Sequence, residues 1–172
     1  MIYKILKSID NRLAVKRAIK AGMKLGKGCR FLGSHDFGSE PYLIEIGDNV
    51  TVSSDVSFIN HDGGTAVVKR LNPKRYSKII KYGKITIGEN CFIGSRTMIM
   101  PGVRIGSNCV IGAGSVITKN IPDNSVAVGV PAKIIRTVED YAERCLNNCP
   151  EYSEEQYLRD KKSEILRIYK NR

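Results

Sequence analysis

Along much of this chain an apolar residue opens a six-residue unit whose fifth position is again small or aliphatic. Six such units run without a break from Ile87: IGENCF, IGSRTM, IMPGVR, IGSNCV, IGAGSV and ITKNIP. Two more stand at 46 and 52, IGDNVT and VSSDVS, and an isolated one at 25, LGKGCR. A strict short period is the mark of a solenoid, in which each repeat buries its apolar side only by stacking on its neighbours. Positions one and five are predicted to face inward, and Gly, Asn or Asp at positions two to four to turn the chain. Three hexads make one triangular coil, and the starts at 87 and 105 are 18 residues apart.

Departures from that count locate insertions. The starts at 25 and 46 are 21 apart, so three residues are inserted, placed in SHDFGSEP. The starts at 46 and 87 are 41 apart, one coil plus 23 residues. Phe58-Ile59-Asn60 can open the third hexad of that coil and Lys84-Ile85-Thr86 close it, leaving an excursion over 61–83. The coils end at the turn Ile121-Pro122-Asp123-Asn124, and VAVGVPAK reads as a last extended segment.

Helices flank the solenoid. Over residues 2–21, Ile2, Ile5, Leu6, Ile9, Leu13 and Ala14 form an apolar stripe, with Lys4, Lys7, Arg12, Lys16, Arg17 and Lys20 mostly off it. Such a helix suits the open end of a solenoid as a cap, and a basic amphipathic helix also suits a membrane surface. Beyond the solenoid, Thr137-x-x-Asp140 starts a short helix, Pro150 breaks it, and Ser153-x-x-Gln156 starts a second running to Lys170. The expected organisation is an N-terminal helix over 1–22, the solenoid over 23–136 and a helical extension over 137–172.

Composition narrows the function. The chain of 172 residues carries a net charge of +11, concentrated in 12–30 and 69–84. Aromatic residues do not interleave with the basic ones and no nucleic-acid motif accompanies them, so nucleic acid is not an expected partner. No apolar run reaches membrane-spanning length, and the N-terminus lacks a signal-peptide pattern, so the expected location is the cytoplasm, with the inner membrane surface open to the basic helix. Three of the five cysteines, Cys29, Cys91 and Cys109, occupy fifth positions and read as core residues; Cys145 and Cys149 read as helix residues. No metal is expected.

The stretches IEIGDNVTVSSDVSFINHDGG, IGENCFIGSRTMIMPGVRIGSNCVIGAGSVITKNIPDNS and VAVGVPAKIIR resemble the hexapeptide-repeat acyltransferases, in particular the branch of galactoside, maltose, xenobiotic and capsular-polysaccharide O-acetyltransferases. The resemblance implies a left-handed parallel β-helix, a homotrimer with active sites between subunits, acetyl-CoA as co-substrate and a sugar or polysaccharide-precursor acceptor. Carried over position by position, it assigns the catalytic histidine to His61. It assigns CoA contacts to Ser95, Ala113, Thr118, Lys119, Lys133 and Arg136. Lys133 replaces an arginine of some relatives, a point charge for a bidentate group.

The chemistry agrees with that assignment. An alcohol attacking a thioester needs a base, and histidine titrates near neutrality. The chain has two histidines, His35 and His61, and His61 stands where the repeat fails. The smaller insertion offers His35, Asp36, Glu40 and Tyr42 as acceptor contacts. What orients the His61 ring stays open between a backbone carbonyl and an acid from elsewhere. Other readings of the same repeat are N-acetylation of an amino sugar, a zinc site built from three histidines, and a non-catalytic assembly protein.

Overall fold

A computed structural model describes residues 12–170; the helix expected to begin near residue 2 lies outside them as far as residue 11. Helix α1, residues 12–20, sets Ala14, Val15 and Ala18 against the core and leaves Arg12, Lys16, Arg17 and Lys20 exposed. Leu13, expected on the apolar stripe, is instead exposed.

The chain then winds through four coils of three short strands. The first coil is β1 (Lys24–Leu25), β2 (Arg30–Phe31) and β3 (His35–Asp36), and the second is β4 (Ile44–Ile46), β5 (Thr51–Val52) and β6 (Val56–Phe58). An excursion bearing α2 (Thr65–Leu71) and α3 (Pro73–Tyr76) follows β6. The third coil is β7 (Ile85–Ile87), β8 (Phe92–Ile93) and β9 (Met98–Ile99), and the fourth is β10 (Arg104–Ile105), β11 (Val110–Ile111) and β12 (Val116–Ile117). Stacking gives three parallel sheets, β1-β4-β7-β10, β2-β5-β8-β11 and β3-β6-β9-β12, with Ile46 beside Ile87 and Ile87 beside Ile105.

The repeat explains the core. First positions Ile46, Val52, Ile87, Ile93, Ile99, Ile105, Ile111 and Ile117 are buried, as are fifth positions Val50, Val56, Cys91, Thr97, Val103, Cys109, Ser115 and Ile121. Each such aliphatic side chain contributes roughly 1.5–3 kcal/mol on burial. The fourth position takes the left-handed backbone conformation at Asn49, Asp55, Asn90, Asn108 and Gly114, which is why Asn, Asp and Gly recur there. Side-chain amides then stack across coils, Asn90 Nδ2 donating to Asn108 Oδ1 and Asn108 Nδ2 to Asn124 Oδ1 at 2.8 and 3.0 Å. The fifth-position cysteines are free thiols that bridge coils: the Sγ atoms of Cys29, Cys91 and Cys109 donate to the carbonyls of Gly47, Gly106 and Pro122, each at 3.1 Å. The adjacent Cys109 sulfur, and then burial, push the Cys91 thiol's pKa up, so it remains a donor.

Three local readings are corrected. VAVGVPAK is not one extended segment but an antiparallel hairpin of β13 (Ser125–Gly129) and β14 (Ala132–Thr137) closing the second sheet. Helix α4 (Val138–Asn147) follows, and the helix expected over 153–170 is two, α5 (Glu154–Arg159) and α6 (Lys161–Lys170). Ser153 caps α5 by accepting from Gln156 N, and Asp160 caps α6 by accepting from Ser163 N and its hydroxyl. A second cap sited inside one helical period ends the first helix and starts the next. Residues 139–170 form a compact unit of their own, in which buried Glu164 pairs with Arg167 at 2.7 Å.

The third correction concerns His35. It belongs to a further hexad, FLGSHD from Phe31, in register with the second coil through His35 opposite Val56. At the inward fifth position its ring packs on Phe31 and Phe37 at 5.3 and 6.0 Å between centroids, and both ring nitrogens are buried without a partner. The insertion expected within SHDFGSEP therefore does not include His35; the chain leaves the coil after Phe37. Burial lowers the His35 pKa from 6.5 to about 4, against the opposing pull of Asp55. The unfolded chain therefore binds a proton that the folded one refuses, and stability falls as pH drops from 6.5 toward about 4. His35→Leu is expected to shrink the gap between melting temperatures at pH 7 and pH 5; an unchanged gap refutes the effect.

Candidate active site

His61 ends the third face of the second coil, where the excursion departs. The stems of the excursion are tied there: Asp62 N donates to Lys81 O at 2.9 Å and Gly83 N to Asn60 O at 3.0 Å. Lys81 Nζ lies 2.6 Å from Asp62 Oδ2, and its hydrogen bond is the first cause of a lowered Asp62 pKa. Gly83 is required because a Cβ would strike the backbone of Gly102 on the next coil. The Tyr82 ring stands 5.8 Å from the imidazole, centroid to centroid. His61 is thus set on a zipped stem rather than on a loose loop.

The ring also has an acid. Glu40 Oε2 lies 2.9 Å from His61 Nδ1. Glu40 sits in the insertion of the first coil, before the single helical turn Pro41–Leu43. Asn60, the residue before His61 and 1% exposed, donates its Nδ2 to the carbonyls of Phe37 and Glu40, both at 3.0 Å. The Ser39 hydroxyl donates to Glu40 Oε2 at 3.0 Å. A carboxylate only accepts, so in the neutral ring Nδ1 carries the proton and Nε2 keeps a lone pair. His61 lines a cleft of about 420 Å³ with Ile59, Asp62, Lys81, Met100 and Thr118.

The expected site residues fall into groups. Glu40 and Thr118 share the His61 corner, and exposed Lys119 follows Thr118. Asp36 is exposed and accepts from Gly38 N, Tyr42 is 60% exposed beside Gly22, and His35 is inside the first coil. A different corner, between the second and third sheets, holds Ser95, whose hydroxyl is 2.7 Å from that of Ser53 and 3.3 Å from that of Ser54. Exposed Ala113 follows on the next coil, where Gly114 N donates to Ser95 O. The hairpin reaches this corner through Gly129 N, which donates to Ser115 Oγ at 3.1 Å. On β14, Lys133 is exposed opposite Val128, and Arg136, opposite Val126, has a buried Nε without a partner.

Residues 84–119 match the model described as hexapeptide repeat of succinyl-transferase. Protein CapG of Staphylococcus aureus is 43% identical over 96% of this chain and 94% of its own length. The galactoside O-acetyltransferase of Escherichia coli K12 is 45% identical over 59% of this chain, a match that spans only 47% of that protein. The crystal structure of a maltose O-acetyltransferase from Clostridium difficile 630 superposes with a TM-score of 0.52 at 30% identity, over 66% of this chain and 68% of that one.

The chain belongs to the hexapeptide-repeat acetyltransferase family. Its solenoid is the left-handed parallel β-helix of that family, and the protein is an acyltransferase. Among the acyltransferase's described residues no helix is long and apolar enough to cross a membrane.

What the sequence left open was the partner of the imidazole. Glu40 and Asn60 are 20 residues apart, and only coil stacking brings the insertion of one coil onto the stem of the next. The sequence signal for this is weak: Asn60 stands at the third, turn-forming place of the hexad from Phe58, and its burial is decided by the fold.

Proposed function

We propose that the enzyme transfers an acetyl group from acetyl-CoA to a hydroxyl of a sugar or polysaccharide precursor, directly and without a covalent acyl-enzyme. The observation that carries this reading is the 2.9 Å contact between His61 Nδ1 and Glu40 at the mouth of a cleft. With Nδ1 protonated and held by the carboxylate, Nε2 is the base. It removes the acceptor hydroxyl's proton as that oxygen attacks the thioester carbonyl, and the proton passes to the departing CoA sulfur. The sugar acceptor is supported by the names of the galactoside and maltose O-acetyltransferases to which the chain is similar.

The residues assigned to CoA suit its chemistry. The Ser53–Ser95 hydroxyl pair offers polar contacts to an amide-bearing arm, and Lys133 with the unpartnered Arg136 Nε offers positive charge to phosphates. These residues and His61 stand on two different corners of one prism. A homotrimer, in which the Ser95 corner of one copy meets the His61 corner of the next, completes the site; placement in the cytoplasm and a role in polysaccharide assembly follow the same reading. Calorimetry with acetyl-CoA, light scattering for mass, and release of free CoA with galactosides, maltose, polysaccharide fragments and amino sugars test it. Binding, a trimer and turnover with a hydroxyl acceptor are expected. No acetyl-CoA binding defeats the proposal, and turnover confined to amino sugars moves it to N-acetylation.

A further inference from the structure

The excursion between the His61 stem strands has a surface that the reaction does not use. Lys69, Arg70, Lys74, Arg75 and Lys78 lie on it, and none makes an ion pair with a described residue. The single carboxylate between 61 and 83 is Asp62, which Lys81 engages. No residue from 63 to 80 is buried, although Val67, Leu71 and Ile80 are there, 60%, 76% and 73% exposed. Aliphatic side chains and unneutralised cations thus alternate on one projecting element. Helix α1 also turns Arg12, Lys16, Arg17 and Lys20 outward.

We propose that this excursion docks on an anionic lipid bilayer, with Leu71, Val67 and Ile80 entering the interface and the five cations meeting lipid phosphates. A soluble acidic polymer satisfies the cations and leaves the aliphatic groups in water. An anionic bilayer surface satisfies both, since it attracts basic residues and takes apolar side chains into the headgroup boundary. Docking in this way holds the His61 cleft, at the root of the excursion, beside the headgroups, so the acceptor is drawn from lipid-carried glycans. That last consequence rests on the transfer reaction proposed above; the docking does not.

The test sediments the full chain with vesicles of phosphatidylcholine, or of phosphatidylcholine with phosphatidylglycerol, and in parallel measures binding to soluble polygalacturonate. Binding to the anionic vesicles that weakens with salt is expected. The pair Leu71→Ser and Ile80→Ser should lower vesicle partitioning about tenfold and spare polygalacturonate, whereas Lys74→Glu with Arg75→Glu should lower vesicle partitioning by at least about tenfold. These side chains are exposed, so circular dichroism should be unchanged. No sedimentation with anionic vesicles overturns the proposal. So does wild-type partitioning of the Ser pair, equal loss toward both ligands, or a changed oligomer mass by light scattering, which would seat the excursion on a second copy. Acetyl-CoA calorimetry on the same samples keeps a failure of docking separate from a failure of the enzyme reading.

Discussion

Replacing His61 with alanine should lower turnover at least a hundredfold and leave acetyl-CoA binding nearly intact. The magnitude follows from the base's role: general-base assistance contributes about 10²–10⁴-fold, and the other histidine, His35, cannot substitute for it. His35 packs against Phe31 and Phe37 in the first coil with both ring nitrogens buried, and its depressed pKa makes it a poor proton acceptor. The fold should survive the change, because the His61 side chain is 42% exposed and the stem is tied by backbone bonds at Asp62 and Gly83. Of the residues assigned to CoA, Ser95, Ala113, Lys133 and Arg136 stand on another corner, so binding measured by calorimetry should stay within a few-fold. Equal turnover in mutant and wild type removes His61 as the base. Loss of both turnover and binding would mean instead that the stem holds the CoA site.

The second large effect is expected at Glu40, and it has a distinctive form. Glu40→Gln should reduce turnover roughly a hundredfold, at least as much as Glu40→Ala, although glutamine keeps the size and the backbone contacts. The glutamine amide can donate to Nδ1, which moves the ring proton to Nε2 and removes the lone pair that the reaction uses. The same tautomer error costs about 10⁴-fold when the buried carboxylate of a serine-protease triad is made an amide, and Glu40 sits in a more open setting. Alanine leaves the tautomer free, so water can support the productive form. Turnover in Glu40→Gln that matches wild type, or that clearly exceeds Glu40→Ala, would assign Glu40 to the acceptor rather than to the ring. Melting temperature should move little in either variant, since Asn60 holds this segment through the Glu40 carbonyl rather than its carboxylate.

Both predictions depend on a neighbourhood that no short window of the chain contains. From the sequence Glu40 reads as an acceptor contact because it lies in an insertion; the fold sets its carboxylate against His61 Nδ1. Its reach to His61 depends on the rotation of one coil over the next and on Asn60, whose Nδ2 donates to the carbonyls of Phe37 and Glu40. His35 shows the converse. Its place in SHDFGSEP reads as a loop, yet the first coil holds its ring against those of Phe31 and Phe37.

The six-residue period by itself determined a great deal. It set the inward and outward faces from Leu25 to Ile121, the triangular coil of three hexads, the corner residues that accept left-handed backbone, and the place where the chain leaves the helix to present His61. All of these are local consequences of side-chain alternation and turn chemistry, legible wherever one unit is followed by the next. The tertiary structure alone decided which corners face the same way: His61 with Glu40 and Thr118 on one, Ser95 with Ala113 and the hairpin on another. Contacts between coils join residues about 18 or more positions apart, and their partners depend on the insertions that shift the register. The hairpin at the end and the break at Asp160 were settled in the same way, by hydrogen bonds made only once the chain had folded back on itself.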